Sequence, residues 1–260
     1  MSRRRAWLLG ASLADLLFLY APIVVLIFFS FNASRLSASW RGFTLQWYRL
    51  LAEDHALLAA VQNSLLVGLA STFVATLLGV CAAVGLERVP FKGRKLVEGA
   101  LLLPLVIPEV MMGVSLMLFF ALVKVPLSLV TVTIGHAAFN LPIVAVIVRA
   151  RLRKLDPTLE EAARDLGATA WQAFRRVTLP LLMPAILGSA LMAFTISLDD
   201  FIVTFFTAGP GATTLPLKVY SMVRSSVTPE INALSAILVL VSMSLIASSL
   251  VLQRKSPTQD

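Results

Sequence analysis

The chain has 260 residues, of which 58% are hydrophobic and only 14% charged, with a formal net charge of +8. A soluble domain is typically about 45–50% apolar and about 25% charged, so too few charges are present to cover a water-facing surface. The single Cys81 excludes a disulfide framework, and His55 and His136 stand far apart with no cysteine near them, so satisfied or solvent-facing histidines are expected rather than a metal site.

About 20 apolar residues are needed to cross a bilayer as a helix. Six stretches meet that length: residues 7–31, 63–86, 96–123, 128–148, 181–206 and 233–252. The expected architecture is therefore an all-α membrane protein of six transmembrane helices in one domain, residues 1–260. The first stretch follows Arg3, Arg4 and Arg5, as in a secretory leader, but it is far longer than the 7–15 apolar residues that a leader uses. The third and fourth are separated only by residues 124–127, which predicts a tight hairpin. Residues 32–34 match a glycosylation sequon, a pattern too short to carry weight.

Lys and Arg set the orientation, because they concentrate on the cytoplasmic side. Sixteen of the 22 fall at the N-terminus, in residues 87–96, in residues 149–180 or at the C-terminus. Both termini and the 149–180 loop are thus expected in the cytoplasm. The same bias accounts for the net charge without nucleic acid, and no nucleic-acid motif is visible.

The loop before the fifth span carries the most specific pattern. Asp156-Pro157 starts a helix: a side-chain cap, then a proline at the first helical position. Glu160 and Glu161 sit in its first turn, where the helix dipole favours acids. Leu159, Ala162, Ala163 and Leu166 recur at helical spacing and form a small apolar face, and Gly167 ends the helix. A second short helix is expected from about residue 169 to 176, with Trp171, Phe174 and Val177 on one side, before Pro180 opens the next span. Such a helix suits a groove on another protein or the bilayer surface.

The spans also contain acids: Asp15, Glu98, Glu109, Asp199 and Asp200. An intramembrane charge costs from about 2.5 kcal/mol upward and is a functional hypothesis by default. Asp15 and Glu98 lie near the cytoplasmic ends, where pairing with a nearby Arg or snorkelling serves them. Glu109 follows Pro108 near the middle of the third span, and prolines there expose backbone that is tolerated only beside a cavity. Asp199 and Asp200 lie about 100° apart around a helix. One can face a pore while the other pairs or caps, or the pair can bridge to a partner subunit. Two such close carboxylates repel unless a cation joins them or one is protonated. Trp40 and Trp47 read equally as interfacial anchors or as cation contacts.

Glu161-Ala162-Ala163, three residues, Gly167, nine residues, Val177-Thr178-Leu179-Pro180 resembles the EAA-x3-G-x9-I-x-L-P motif of ABC-importer permeases, with Val for Ile as the one departure. The resemblance implies the type I importer permease fold, a bacterial inner-membrane location, and an ATPase-coupling role for Glu161, Ala162, Ala163 and Gly167. Ser197-Leu-Asp-Asp-Phe201, residues 209–224, residues 228–234, Gly42-Phe-Thr, Trp47-Tyr48 and Asn63-Ser64 resemble the spermidine/putrescine permeases, specifically the PotC/PotI type. That implies a polyamine substrate, with Asp199, Asp200, Glu109, Ser197 and Trp47 along its path. No G-x4-G-K-[ST] phosphate loop is present. The chain is thus expected to be no enzyme and to bind no cofactor, with ATP and Mg on a partner ATPase dimer. A second permease subunit and a periplasmic polyamine-binding protein complete the implied partners. The same machine for ferric iron or a phosphonate, and an ion-gradient-driven carrier, are the alternatives.

Overall fold

The structure, a computed structural model, describes residues 3–34, 39–225 and 228–255; the side chains of residues 3–6, 9, 225, 242 and 244–255 lie outside that description. Those include Arg3–Arg5, Arg254 and Lys255, on which the expected orientation partly rests. Among the described residues the chain is helical apart from one isolated bridge between Asn32 and Phe43. It divides into two compact units, residues 1–58 with 219–260, and residues 59–218.

The helices in chain order are α1 (Arg3–Phe29), α2 (Gln46–Glu53), α3 (His55–Arg88), α4 (Arg94–Val106), α5 (Glu109–Leu122), α6 (Leu129–Leu152), α7 (Thr158–Asp165), α8 (Ala170–Ala173), α9 (Leu179–Asp199), α10 (Ile202–Thr207), α11 (Leu215–Ser225) and α12 (Pro229–Lys255). Among the described residues, four continuous helical stretches are long and apolar enough to cross a membrane, and the bent pair α4–α5 makes a fifth if it is one span. The sixth expected span falls on α12, where most side chains beyond Val241 are outside the description.

In the first unit α12 packs on α1 and α2. Asn32 organises the turn between α1 and α2. Its amide donates to the Ser39 carbonyl at 2.8 Å and its side-chain oxygen accepts from the N–H groups of Ser34 and Arg41. The sequon asparagine is therefore fully buried and engaged. The apolar stretch of α1, Gly10–Phe29, has no buried residue.

The second unit is built around α6, which packs on α9, α4, α10 and α5. Ser128 starts α6 with a capping box shared with Thr131. Ala83, Val144, Val148, Leu152, Leu182 and Ala193 form its apolar core. Gly79 lets α3 approach α6 closely, since a Cβ there would lie 2.8 Å from Val144.

Three expectations are corrected by local chemistry. The third span is not one helix: α4 and α5 meet at 110°. Pro108 removes an N–H and pushes Ile107 into extended backbone (ψ 132°). The fifth span breaks at Asp200, which is extended (ψ 123°) and starts α10. Finally, residues 170–199 run as one helix instead of a short helix followed by a span. A π-helical turn at Phe174–Thr178 absorbs the missing N–H of Pro180.

Candidate functional site

Two regions of the second unit gather the chemistry. The first is the 149–180 loop. Asp156 accepts from the Thr158 N–H at 3.0 Å and caps α7. At the other end the Gly167 N–H reaches the Arg164 carbonyl (2.9 Å) and the Ala168 N–H the Ala163 carbonyl (3.1 Å). That pair of bonds is a Schellman closure, and it requires the left-handed φ of +89° that Gly167 adopts. Thr169 and Gln172 then form a reciprocal capping box for α8. Glu161 and Ala162 are exposed and Ala163 is half-buried. Leu166 and Trp171 stand outward beside them, at 90% and 66% exposure.

The residue that ties α7 down is Glu160. Both guanidinium nitrogens of Arg88, from the last turn of α3, bind its carboxylate. The Thr178 hydroxyl donates to it at 2.8 Å and Arg164 at 2.9 Å. Arg88 also lies over the Phe174 ring, 5.6 Å from its centroid. Burial works against the Glu160 charge, but the Thr178 hydrogen bond and the Arg88 cation outweigh it and hold the carboxyl below its ordinary range. Nearby, Arg149 binds Glu87 (2.8 Å) and Glu98 (2.6 Å), so the ends of α3, α4 and α6 share one ion cluster.

The second region is a groove of about 660 Å³ where the two helix breaks meet. Glu109, Asp199 and Asp200 line it, with Phe139, Phe201 and Pro104 among the apolar walls. Glu109 is the first residue of α5, and both Glu109 and Asp199 are exposed and make no ion pair among the described residues. Asp200 behaves differently. Its carboxylate accepts from the N–H groups of Val203 (3.3 Å) and Thr204 (2.9 Å), capping α10, and lies 3.1 Å from His136 Nε2. Ser197 is buried away from the groove's lining, bonded to Ser71 (3.1 Å) and His136 Nδ1 (2.7 Å). Trp47 belongs to the first unit, is 2% exposed and donates its indole N–H to the Asn32 carbonyl at 2.7 Å, so its described role is structural.

Residues 75–256 match the family described as "Binding-protein-dependent transport system inner membrane component". This chain belongs to that family of inner-membrane ABC permeases.

The relatives of this permease agree over nearly its whole length. It is 41% identical over 237 residues to the spermidine/putrescine transport system permease protein PotC of Escherichia coli K12, covering 91% of this chain and 90% of that one. It is 42% identical over 242 residues to the putrescine transport system permease protein PotI of the same strain, covering 90% and 86%. Its fold matches a chain of a bacterial ABC transporter involved in the import of alginate, with a TM-score of 0.73, 18% identity and 99% coverage of both chains. The permease thus has the all-helical type I importer fold and is a multi-pass inner-membrane transport subunit rather than a catalytic one.

Two residues of this permease that matter most to its geometry were not singled out by their motif. Glu160 precedes the EAA signature by one position, and His136 sits in an apolar run as an apparently isolated side chain. The available signal for His136 was its depth: an ionisable group inside a span needs a partner.

Proposed function

We propose that this permease carries polyamines, spermidine and putrescine, inward by alternating access. The observation that supports it best is that Glu109 and Asp199, which make no ion pair among the described residues, share one groove between two broken helices. A polyamine is a flexible chain with ammonium groups separated by methylenes. Two carboxylates bind such charges with charge-assisted hydrogen bonds, and Phe139 and Phe201 give apolar and cation–π surface between them. The names of the PotC and PotI relatives point to the same substrates.

The proposed working complex contains a second permease subunit, a cytoplasmic ATPase dimer that holds ATP and Mg, and a periplasmic polyamine-binding protein. In this reading the chain has six spans with both termini in the cytoplasm. The outward-standing surface of α7 and α8, with Glu161, Ala162, Ala163 and Gly167, docks on the ATPase. Closing of the ATPases draws the two coupling loops together and opens the groove toward the loaded binding protein. ATP and Mg bind the ATPase partner, and this chain holds no cofactor.

Uptake of radiolabelled putrescine and spermidine in a strain lacking this chain tests the reading. Restoration by the wild-type permease, competed by unlabelled polyamines but not by ferric iron or phosphonate, is the expected result. Restored uptake of iron or phosphonate without polyamine uptake overturns it.

A further inference from the structure

The second unit contains a buried polar chain that reaches the groove only through Asp200. Ser71 of α3 bonds Ser197 of α9, and Ser197 bonds His136 Nδ1 on α6 at 2.7 Å. On the other side of the ring, Nε2 lies 2.9 Å from Thr204 Oγ1 and 3.1 Å from Asp200 Oδ2. The Thr204 hydroxyl in turn donates to Asp200 at 2.9 Å. His136 is 1% exposed.

The ring spans the break in the fifth span. One nitrogen grips the last turn of α9, and the other grips the first turn of α10 together with the carboxylate that caps it. A helix broken at membrane depth exposes unpaired backbone groups, which is tolerated only where protein satisfies them. Asp200 satisfies two of the N–H groups of α10, and His136 holds Asp200 in the place where it can do so. Asp199, Asp200 and Glu109 all line the groove, but the Asp200 carboxylate is committed to the cap and to His136, which leaves the exposed Asp199 beside it to face an arriving cation.

We propose that His136 is a positioning residue for cation passage: it pins the α9–α10 break so that Asp200 is held as a cap and Asp199 is presented to the substrate. The inference rests on the polyamine reading, and it assigns the imidazole no contact with substrate. Ser197 and Asp200 then influence transport through His136 and the break, while Asp199 acts on the cation itself.

The test is putrescine uptake kinetics in a strain lacking this chain, with the full complex and variants at His136, Thr204 and Asp199. Mispositioning of a binding group by about 1 Å costs up to about 100-fold in rate, so His136→Ala is expected to raise KM about ten-fold, with Vmax per membrane-inserted complex nearly unchanged. His136→Gln, which keeps a donor and an acceptor, is expected to recover most of that loss. Thr204→Val removes the hydroxyl between ring and carboxylate at constant volume and is expected to raise KM in the same direction, which keeps the test alive if His136→Ala does not accumulate. If His136 acts through Asp199, the double variant His136→Ala/Asp199→Asn has the KM of Asp199→Asn alone. Unchanged KM in the single variants that reach the membrane overturns the proposal. So do effects of His136→Ala and Asp199→Asn that multiply. Absence of saturable polyamine uptake by the wild type marks failure of the substrate reading instead.

Discussion

Loss of the Glu160 strap is the sharpest test of the proposed coupling role of α7. Glu160 receives Arg88 on both oxygens, the buried Thr178 hydroxyl and Arg164. The Arg164 contact is an i,i+4 pair at the surface, with Arg164 half exposed, and such pairs are worth about 0.3–0.5 kcal/mol. The Arg88 pair is better covered and bidentate, and hydrogen bonds to charged groups contribute about 1.5–3 kcal/mol. Glu160→Ala therefore weakens the attachment of α7 to α3 and the π turn by roughly 2–3 kcal/mol, with the caps of α7 left in place. At about 1.4 kcal/mol per factor of ten, the detached fraction of α7 rises roughly 30- to 140-fold. The assay is transport and ATP hydrolysis by the complex in proteoliposomes. Under that proposal, Glu160→Ala and Arg88→Ala are each expected to lower polyamine uptake per ATP hydrolysed, while ATPase binding to the proposed docking surface around Glu161 persists. The swapped pair Arg88→Glu/Glu160→Arg should recover part of the loss. Coupling that is unchanged in both single variants, or singles whose losses simply add in the swap, refutes the strap.

The remaining expectations are simpler. Gly167→Ala forces a side chain into the left-handed region at φ +89°, costing about 1–2 kcal/mol; nothing crowds the position, so uptake should fall moderately while membrane abundance stays normal. Gly167→Asp should abolish ATP-dependent uptake, and unchanged uptake there would remove the coupling role. Gly209→Ala places a Cβ 1.8 Å from the Leu127 carbonyl oxygen, a backbone contact that cannot yield cheaply, so immunoblots of membranes should show little protein. The Glu160 carboxyl is held below its ordinary range. Its contribution is thus complete above the unfolded value of about 4.3 and is lost as pH falls through the lower folded value. In detergent, the wild-type melting temperature should drop on acidification below about pH 4.3, and the drop should be smaller in Glu160→Gln.

How much of this was legible depended on whether a feature is local. Asp156 and Gly167 act through backbone groups two to five positions away, so the start and end of α7 could be read from spacing, whereas the equally local Thr169–Gln172 box was not read. The 110° bend was half legible: Pro104 and Pro108 announce exposed backbone near Glu109, but not that the two halves separate into α4 and α5. The break at Asp200 carries no proline, and the stretch 181–206 is apolar enough overall to read as one span despite Asp199-Asp200. It depends on His136, 64 positions earlier, and a contact of that range leaves no periodic trace. Trp47 shows the same limit, since its indole N–H donates to the Asn32 carbonyl, 15 residues before it, a contact that no periodicity announces. Helix length was also misjudged. α3 has 34 residues, about 50 Å at 1.5 Å per residue, because Asp54 caps an earlier start at residues 55–62 and Glu87-Arg88 extend the other end. That extension is what carries Arg88 to Glu160.

The two acids at the second break sit at opposite ends of two helices, and this separates their energetics. Asp200 precedes α10, where the unpaired N–H groups and the positive end of the dipole favour a carboxylate. Asp199 is the last residue of α9, where the negative end of the dipole disfavours one. The break and Asp200 stabilise one another, whereas Asp199 lies on the groove at the helix end that disfavours a carboxylate. An arriving ammonium gains most at such a group, because it relieves a strain that the empty permease carries. The neutral substitutions should therefore have opposite signs on stability in the absence of substrate. Asp199→Asn should stabilise the purified permease by about 0.3–1 kcal/mol and lose polyamine-induced stabilisation. Asp200→Asn should destabilise it by roughly 1–3 kcal/mol, because the charge-assisted bonds to Thr204 and His136 are lost. Thermal denaturation in detergent, with and without putrescine, reads both. Melting shifts of the same sign in the two variants would show that the pair acts as one unit, and the division of labour between a capping carboxylate and a substrate-facing one would fall.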